Sequence, residues 1–256
     1  MNLASHRAHE YRHLGARWRA VARASGAKLQ RFATAGDDAL FFLRTPALAE
    51  NSGIYISAGI HGDEPASTEA LIAWAEKHTT RLARWPLLLF PCLNPWGLRK
   101  NCRFDAAGVD LNRAFHREDQ PVIVALKQTI APHQFALALM LHEDYDGQGF
   151  YLYEIKRDAP FWGEKLLTVA GRHIAIDSRR KIDGRNAGAG LIRRRFDRRR
   201  FEQLGFPEAI WLHEFHARRA LTVETPSEFA LDQRVRAHVA VIEECVRRVS
   251  SARGPS

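Results

Sequence analysis

Two unbroken apolar runs constrain this chain more than any other feature. Leu87-Leu88-Leu89-Phe90 sits between prolines, and Phe135-Ala136-Leu137-Ala138-Leu139-Met140-Leu141 ends in the polar triplet His142-Glu143-Asp144. A half-exposed strand alternates apolar and polar residues, whereas runs without alternation fit strands covered on both faces. Shorter strand-like stretches occur at 27–32 and 39–43, around the turn Gly36-Asp37-Asp38, and at 54–58, 149–155, 210–215 and 220–223. Helical patterns at 14–24, 66–77, 121–130, 161–174 and 228–249 lie among them. Residues 94–115 read as an irregular polar stretch, and 177–201 as a long loop with short elements. Alternating strands and helices predict an α/β fold: a central mixed, largely parallel sheet flanked by helices on both faces. No Pro/Gly/Ser-rich linker divides the 256 residues, so a single domain over 1–256 is expected.

Several classes of protein fit this sequence poorly. No run of eighteen apolar residues is present, so no transmembrane helix is expected. The charged segment 1–23 lacks the apolar centre of a signal peptide. Cys92, Cys102 and Cys245 are scattered without a Cys-x-x-Cys pair, which argues against a disulfide framework or a thiolate zinc site. A cytoplasmic protein is expected. The formal net charge of +9 raises the question of an anionic partner, and much of the excess lies between Arg179 and Arg200. No aromatic-interleaved groove or nucleic-acid motif accompanies that run, so it reads as a solvated surface loop.

The chemistry collects at Gly59-Ile60-His61-Gly62-Asp63-Glu64-Pro65, a turn between a strand and a helix. Glycine relaxes the backbone there, and Pro65 keeps Glu64 out of the helical region while suiting the first helical position. His61 and Glu64, three residues apart, can therefore point at one ion. An isolated His-x-x-Glu is common and by itself describes only a solvated turn. His142 and Glu224 stand at the ends of other strands, where sites of open α/β sheets lie. Catalytic zinc commonly takes three protein ligands, which His61, Glu64 and His142 would supply. His213-Glu214-Phe215-His216 is set aside: it is not His-Glu-x-x-His, and on a strand the two histidines would face opposite sides.

Taken in order, His61-Gly62-Asp63-Glu64, Asn94-Pro95-Trp96-Gly97, Arg103, Gly108-Val109-Asp110-Leu111-Asn112-Arg113, His142 and Glu224-Thr225-Pro226-Ser227 form a pattern. It resembles the carboxypeptidase A-like zinc peptidases and their succinylglutamate desuccinylase/aspartoacylase relatives, over most of residues 53–227. The resemblance implies a zinc carboxypeptidase-like fold with Zn²⁺ on His61, Glu64 and His142, lowering the pKa of water to about 7 and polarising a carbonyl. It implies Glu224 as general base, Arg103 beside the developing oxyanion, and Asn112 with Arg113 on a substrate carboxylate. Asp110 would orient His61 by accepting its other ring N–H.

The peptidases of this family place a tyrosine between the last zinc ligand and the base, but residues 177–219 contain none. Tyr145, Tyr151 and Tyr153 lie nearer His142, and the role stays unassigned. The chain looks more like the bacterial intracellular branch, which includes murein-peptide amidases, than like a digestive exopeptidase. The expected activity is zinc-dependent cleavage of an amide next to a residue with a free carboxylate, in a peptide or murein-type peptide. An N-acyl amino acid deacylase is the alternative on the same residues. A basic nucleic-acid-binding protein is a more distant one.

Overall fold

The computed structural model describes residues 7–157, 160–194, 199 and 205–251. Its strands are β1 (Lys28–Ala35), β2 (Asp38–Arg44), β3 (Gly53–Ser57), β4 (Leu87–Phe90), β5 (Phe135–Asp144), β6 (Tyr151–Lys156), β7 (Lys181–Ile182), β8 (Arg185–Asn186), β9 (Leu191–Arg193) and β10 (Arg219–Pro226). Eight of them form one sheet in the order β1-β2-β4-β3-β5-β10-β6-β9, and β7 pairs with β8 in a separate ribbon. The centre is parallel, with β3 between β4 and β5, and β5 beside β10. Antiparallel pairings of β1, β2 and β6 make the sheet mixed, as the alternation of elements predicted.

The helices are α1 (Tyr11–Ser25), α2 (Pro65–Lys77), α3 (Thr79–Leu82), α4 (Pro95–Lys100), α5 (Pro121–Ile130), α6 (Gly163–Ala170), α7 (Glu208–Phe215) and α8 (Leu231–Ser251). Successive side chains of a strand point to opposite faces, so an unbroken apolar run must be covered twice. Ile54, Ile56, Leu137, Leu139 and Val223 pack with Trp18 of α1, Leu71 and Trp74 of α2, Leu166 of α6 and Val241 of α8. Tyr55, Leu88, Phe90, Ala138 and Met140 meet Ile123 and Leu126 of α5 and Ile210 and Leu212 of α7 on the other face. Each buried Leu or Ile of this kind is worth about 1.5–3 kcal/mol of transfer free energy.

Two segments depart from expectation. Residues 210–215 form the end of helix α7 instead of a strand. Eight residues are too few for periodicity to separate a helix from a short strand, but Pro207 before Glu208 is a helix-start signal. The strand argument against His213 and His216 therefore fails in its premise. His213 lies in the last turn of α7, and His216, at its C-cap, donates through Nδ1 to the carbonyl of His133 at 3.0 Å. Within 94–115, α4 interrupts the irregular stretch, with Asn94 as N-cap accepting from Gly97 N–H at 2.9 Å.

Of the arginine run, Arg195, Arg198 and Arg200 lie outside the described residues. Arg179 pairs with Asp177, and Arg193 with Glu164. No helix among the described residues is long and apolar enough to cross a membrane.

His238 of α8 is fully buried, its Nε2 3.1 Å from Thr225 Oγ1. Burial, with Arg234 nearby, pushes its pKa down to about 3. The unfolded chain takes up this proton near the ordinary value of about 6.5. His238 therefore contributes stability that is complete above that pH and is lost as pH falls toward about 3. Unfolding free energies from urea titrations between pH 7 and 4 should fall more steeply with falling pH in the parent protein than in His238→Gln. The difference should approach about 1.4 kcal/mol per pH unit, and parallel profiles would contradict it.

Candidate metal centre and cavity

The turn after β3 owes its shape to two glycines with different tasks. Gly59 has φ +61°, a left-handed conformation that side chains disfavour. Gly62 is needed for space: a Cβ there would lie 1.9 Å from the carbonyl carbon of Gly97, where α4 docks. Gly62 N–H also donates to the carbonyl of Cys102 at 3.1 Å. Pro65 opens α2, and Glu64 is its N-cap residue but makes no side-chain cap. Its carboxylate turns to the two histidines instead.

His61 Nδ1 lies 2.6 Å from Glu64 Oε1, and His142 Nδ1 lies 2.9 Å from Glu64 Oε2. The three residues are only 2–3% exposed, and one donor atom from each falls within 4.8 Å of the others. His142 is brought here by β5, whose alternate residues Ala138 and Met140 face α5 and α7. Burial alone would push His61 down, but the Glu64 carboxylate and Asp110 override it and raise it to about 9. Burial likewise opposes ionisation of Glu64, yet His61 and His142 hold it far below the usual carboxylate range. The three donor atoms are close enough to hold one cation among them.

The second ring nitrogen decides whether that cation can be a metal. His61 Nε2 lies 3.2 Å from Asp110 Oδ1 and donates to it. In the neutral ring, the form that binds a metal, this bond leaves the lone pair on Nδ1, the nitrogen that meets Glu64. Two imidazole nitrogens and a carboxylate, with the tautomer fixed by a carboxylate behind one ring, fit a zinc-type ion.

Asp110 does more than orient His61. Its Oδ2 accepts from Arg103 Nε at 3.0 Å and Nη2 at 2.9 Å, while Arg103 Nη1 reaches His61 Nδ1 at 3.2 Å. Burial works against the Asp110 charge, but His61 and Arg103 keep it well below the ordinary range. Asn94 holds the Arg103 loop by donating to the carbonyls of Arg103 and Phe104 at 3.3 and 3.0 Å. Asp110 Oδ1 also accepts from Asn112 N–H at 2.9 Å, starting a 3₁₀ turn over Leu111–Arg113. Asn112 Oδ1 accepts from Glu208 N–H at 2.9 Å, so its amide N–H groups are the part left for a ligand.

These elements surround a cavity of about 250 Å³. His61, Glu64, His142, Arg103, Asn112, Arg113 and Glu224 all line it, although they are spread over more than 160 positions of sequence. Asp110 stands behind the lining. Glu224 is the register partner of His142 across the parallel β5/β10 pair, so the two side chains emerge side by side. Burial pushes Glu224 up to about 8; His142 opposes this, while the Glu64, Asp144 and Asp183 carboxylates add to it.

Other lining residues went unassigned in the sequence. Tyr151 and Tyr153 project from the same face of β6 into the cavity. Their hydroxyls donate to Asp144, at 2.9 Å, and to Asp183. Arg194, which follows β9, stacks its guanidinium 4.2 Å from the Tyr153 ring centroid. Alternation at 151 and 153 was a usable signal for the tyrosines. Nothing local marked Arg194 within an arginine-rich run.

Residues 51–153 match the family model described as succinylglutamate desuccinylase/aspartoacylase catalytic domain. A segment of 76 residues is 41% identical to murein peptide amidase A of Escherichia coli K12, spanning 30% of this chain and 30% of that protein. The fold resembles a candidate metallopeptidase of Shewanella amazonensis SB2B, with a TM-score of 0.83 at 22% identity over 94% of both chains. It also resembles a metallo-carboxypeptidase of Burkholderia cenocepacia, with a TM-score of 0.68 at 17% identity over 95% of this chain and 69% of that one.

Proposed function

We propose that this chain, a member of the carboxypeptidase A-like superfamily that includes succinylglutamate desuccinylase and aspartoacylase, is a zinc-dependent hydrolase. It cleaves an amide bond next to a residue bearing a free carboxylate, in a peptide or murein-type peptide. One observation carries the reading: the His61/Glu64/His142 cluster, Glu224 and Arg113 share one small cavity. The partial match to a murein peptide amidase supports the peptide class. The three free cysteines suit a reducing cytoplasm.

When bound at His61, Glu64 and His142, zinc would supply Lewis acidity toward a carbonyl and acidify water. Glu224 takes a proton from the attacking water and passes it to the departing nitrogen. Arg103, held by Asp110 and lining the cavity, would stabilise the developing oxyanion, where one preorganised donor is worth about 3 kcal/mol. Asp110 accepts from His61 Nε2, so that the neutral ring would offer Nδ1 to the ion. Asn112 and Arg113 grip the substrate carboxylate. Among the described residues neither Arg113 nor Arg194 pairs with a carboxylate, whereas Arg103, Arg179, Arg219 and Arg234 each do. Arg113 is thus the cavity-lining cation proposed to meet an incoming carboxylate.

Arg113→Ala should raise KM for a free-carboxylate peptide by roughly 10–100-fold, with a smaller effect on kcat. Steady-state kinetics on the free acid and its C-terminal amide check this. Equal KM values for the two substrates in the parent protein would remove Arg113 from the role. A second reading, N-acyl amino acid deacylase, is favoured by the family match over 51–153. It uses the same residues in the same roles and differs in the acyl group it accepts.

A further inference from the structure

The N-terminus of α2 lacks a cap of its own, because its N-cap residue, Glu64, faces the histidines. The missing cap comes from another strand. Glu143, next after His142 on β5, points to the opposite face of the sheet, and its Oε1 accepts from Ala66 N–H at 2.6 Å. Its Oε2 accepts from Arg234 of α8 and from Thr225 Oγ1 of β10 at 3.4 Å. The Glu143 side chain is entirely buried. Arg234 is anchored in turn, donating through Nε to the carbonyl of Phe229 at 2.8 Å.

The three backbone positions joined by this carboxylate are those adjoining the site. Ala66 is two residues after Glu64, Glu143 follows His142, and Thr225 follows Glu224. β5 and β10 are in parallel register here, with His142 opposite Glu224 and Glu143 opposite Thr225. On one face lie a ligand and the base. On the reverse face, one residue further, lies the tie between their strands. We propose that Glu143 is a positioning residue: its buried carboxylate fastens the start of α2 to the ends of β5 and β10, and so fixes Glu64 relative to His142 and Glu224.

The bland alternative is a buried ion pair that serves stability alone. Buried pairs are poor evidence for stability, since apolar residues of similar size often replace them at little cost. The two roles therefore separate in a pair of variants. Glu143→Gln keeps the shape but presents a neutral amide to Arg234. The double substitution Glu143→Met/Arg234→Met removes both charges and fills the space. This inference rests on the metal-site reading above, so zinc affinity of the parent protein is measured first, by competition with a chelator at fixed pH. A parent chain that takes no zinc overturns both.

With zinc bound to the parent, Glu143→Gln should hold it 10–100-fold more weakly, the usual effect of losing a group that supports metal ligands. Its kcat should fall while KM for a carboxylate peptide changes little. The double variant, which no longer buries an unpaired charge but leaves Ala66 N–H without its acceptor, should recover part of the melting temperature that Glu143→Gln loses in the metal-free protein, without recovering zinc affinity. Parental zinc affinity in either folded variant would overturn the proposal. So would affinity that returns together with the melting temperature in the double variant, because that is the behaviour of a merely structural pair.

Discussion

Glu224→Gln should lose about 10²–10⁴-fold in kcat and keep its zinc. General acid–base catalysis by one positioned side chain is worth that much, which corresponds to about 3–5 kcal/mol of barrier. Glu224 stands beside His142 in the sheet register and opens into the same cavity. Its carboxyl group, unlike its backbone, has no hydrogen-bond partner among the described residues, so it is not spent on structure. Burial, reinforced by Glu64, Asp144 and Asp183, pushes it up to about 8, and a divalent ion beside His142 would favour its ionised form again. A carboxyl balanced between these influences suits a group that takes a proton and returns it. Glutamine fills the same volume without that capacity. Kinetics alongside metal content check the prediction, and activity within tenfold of the parent would take the base role from Glu224.

His142→Ala should fail at an earlier step, in holding the ion. The donor set would drop to His61 and Glu64, and the Glu64 Oε2 that now meets His142 at 2.9 Å would face a hole. Removing a ligand should cost at least the 10–100-fold in affinity that supporting groups alone are worth. Chelator competition with both variants separates the roles: Glu224→Gln should match the parent in affinity, and His142→Ala should not. Undiminished zinc affinity in His142→Ala would mean that the cluster is not the metal site.

Much of this architecture could be read from residues because the chain uses unambiguous signals at its centre. The runs at 87–90 and 135–141 lack alternation, and each became a strand covered on both faces. Pro65 and Pro121 stand at the first helical positions of α2 and α5, as expected for a residue without an N–H. Where a segment was short and rich in residues that suit either state, the reading failed. In 210–215 the local preference of Ile, Trp and Phe for strands yielded to packing of Ile210 and Leu212 on the sheet.

The site was legible for a different reason. His61, Glu64, His142 and Glu224 stood out by residue type and place, and Arg103, Asn112 and Arg113 only through the resemblance, but only topology sets a turn after β3, a loop before α5 and two strand ends around one cavity. Gly62 shows the limit well. Its presence suggested a bend, whereas the close approach of Gly97 is what demands it, and no local pattern announces a contact 35 residues away. Arg194 and Asp183 were invisible for the same cause: they enter from excursions whose path depends on what they pack against.

The most direct test of the central claim is hydrolysis by zinc-loaded protein, with Glu224→Gln as control. The substrates are peptides with free and amidated C-termini, murein-type peptides and N-acyl amino acids. The account predicts release of a carboxylate-bearing residue from free-acid substrates alone, absent in the variant. Cleavage confined to N-acyl amino acids would move the chain to the deacylase reading with its residues unchanged. No hydrolysis of any substrate by protein that holds zinc, or equal hydrolysis by Glu224→Gln, would contradict the account.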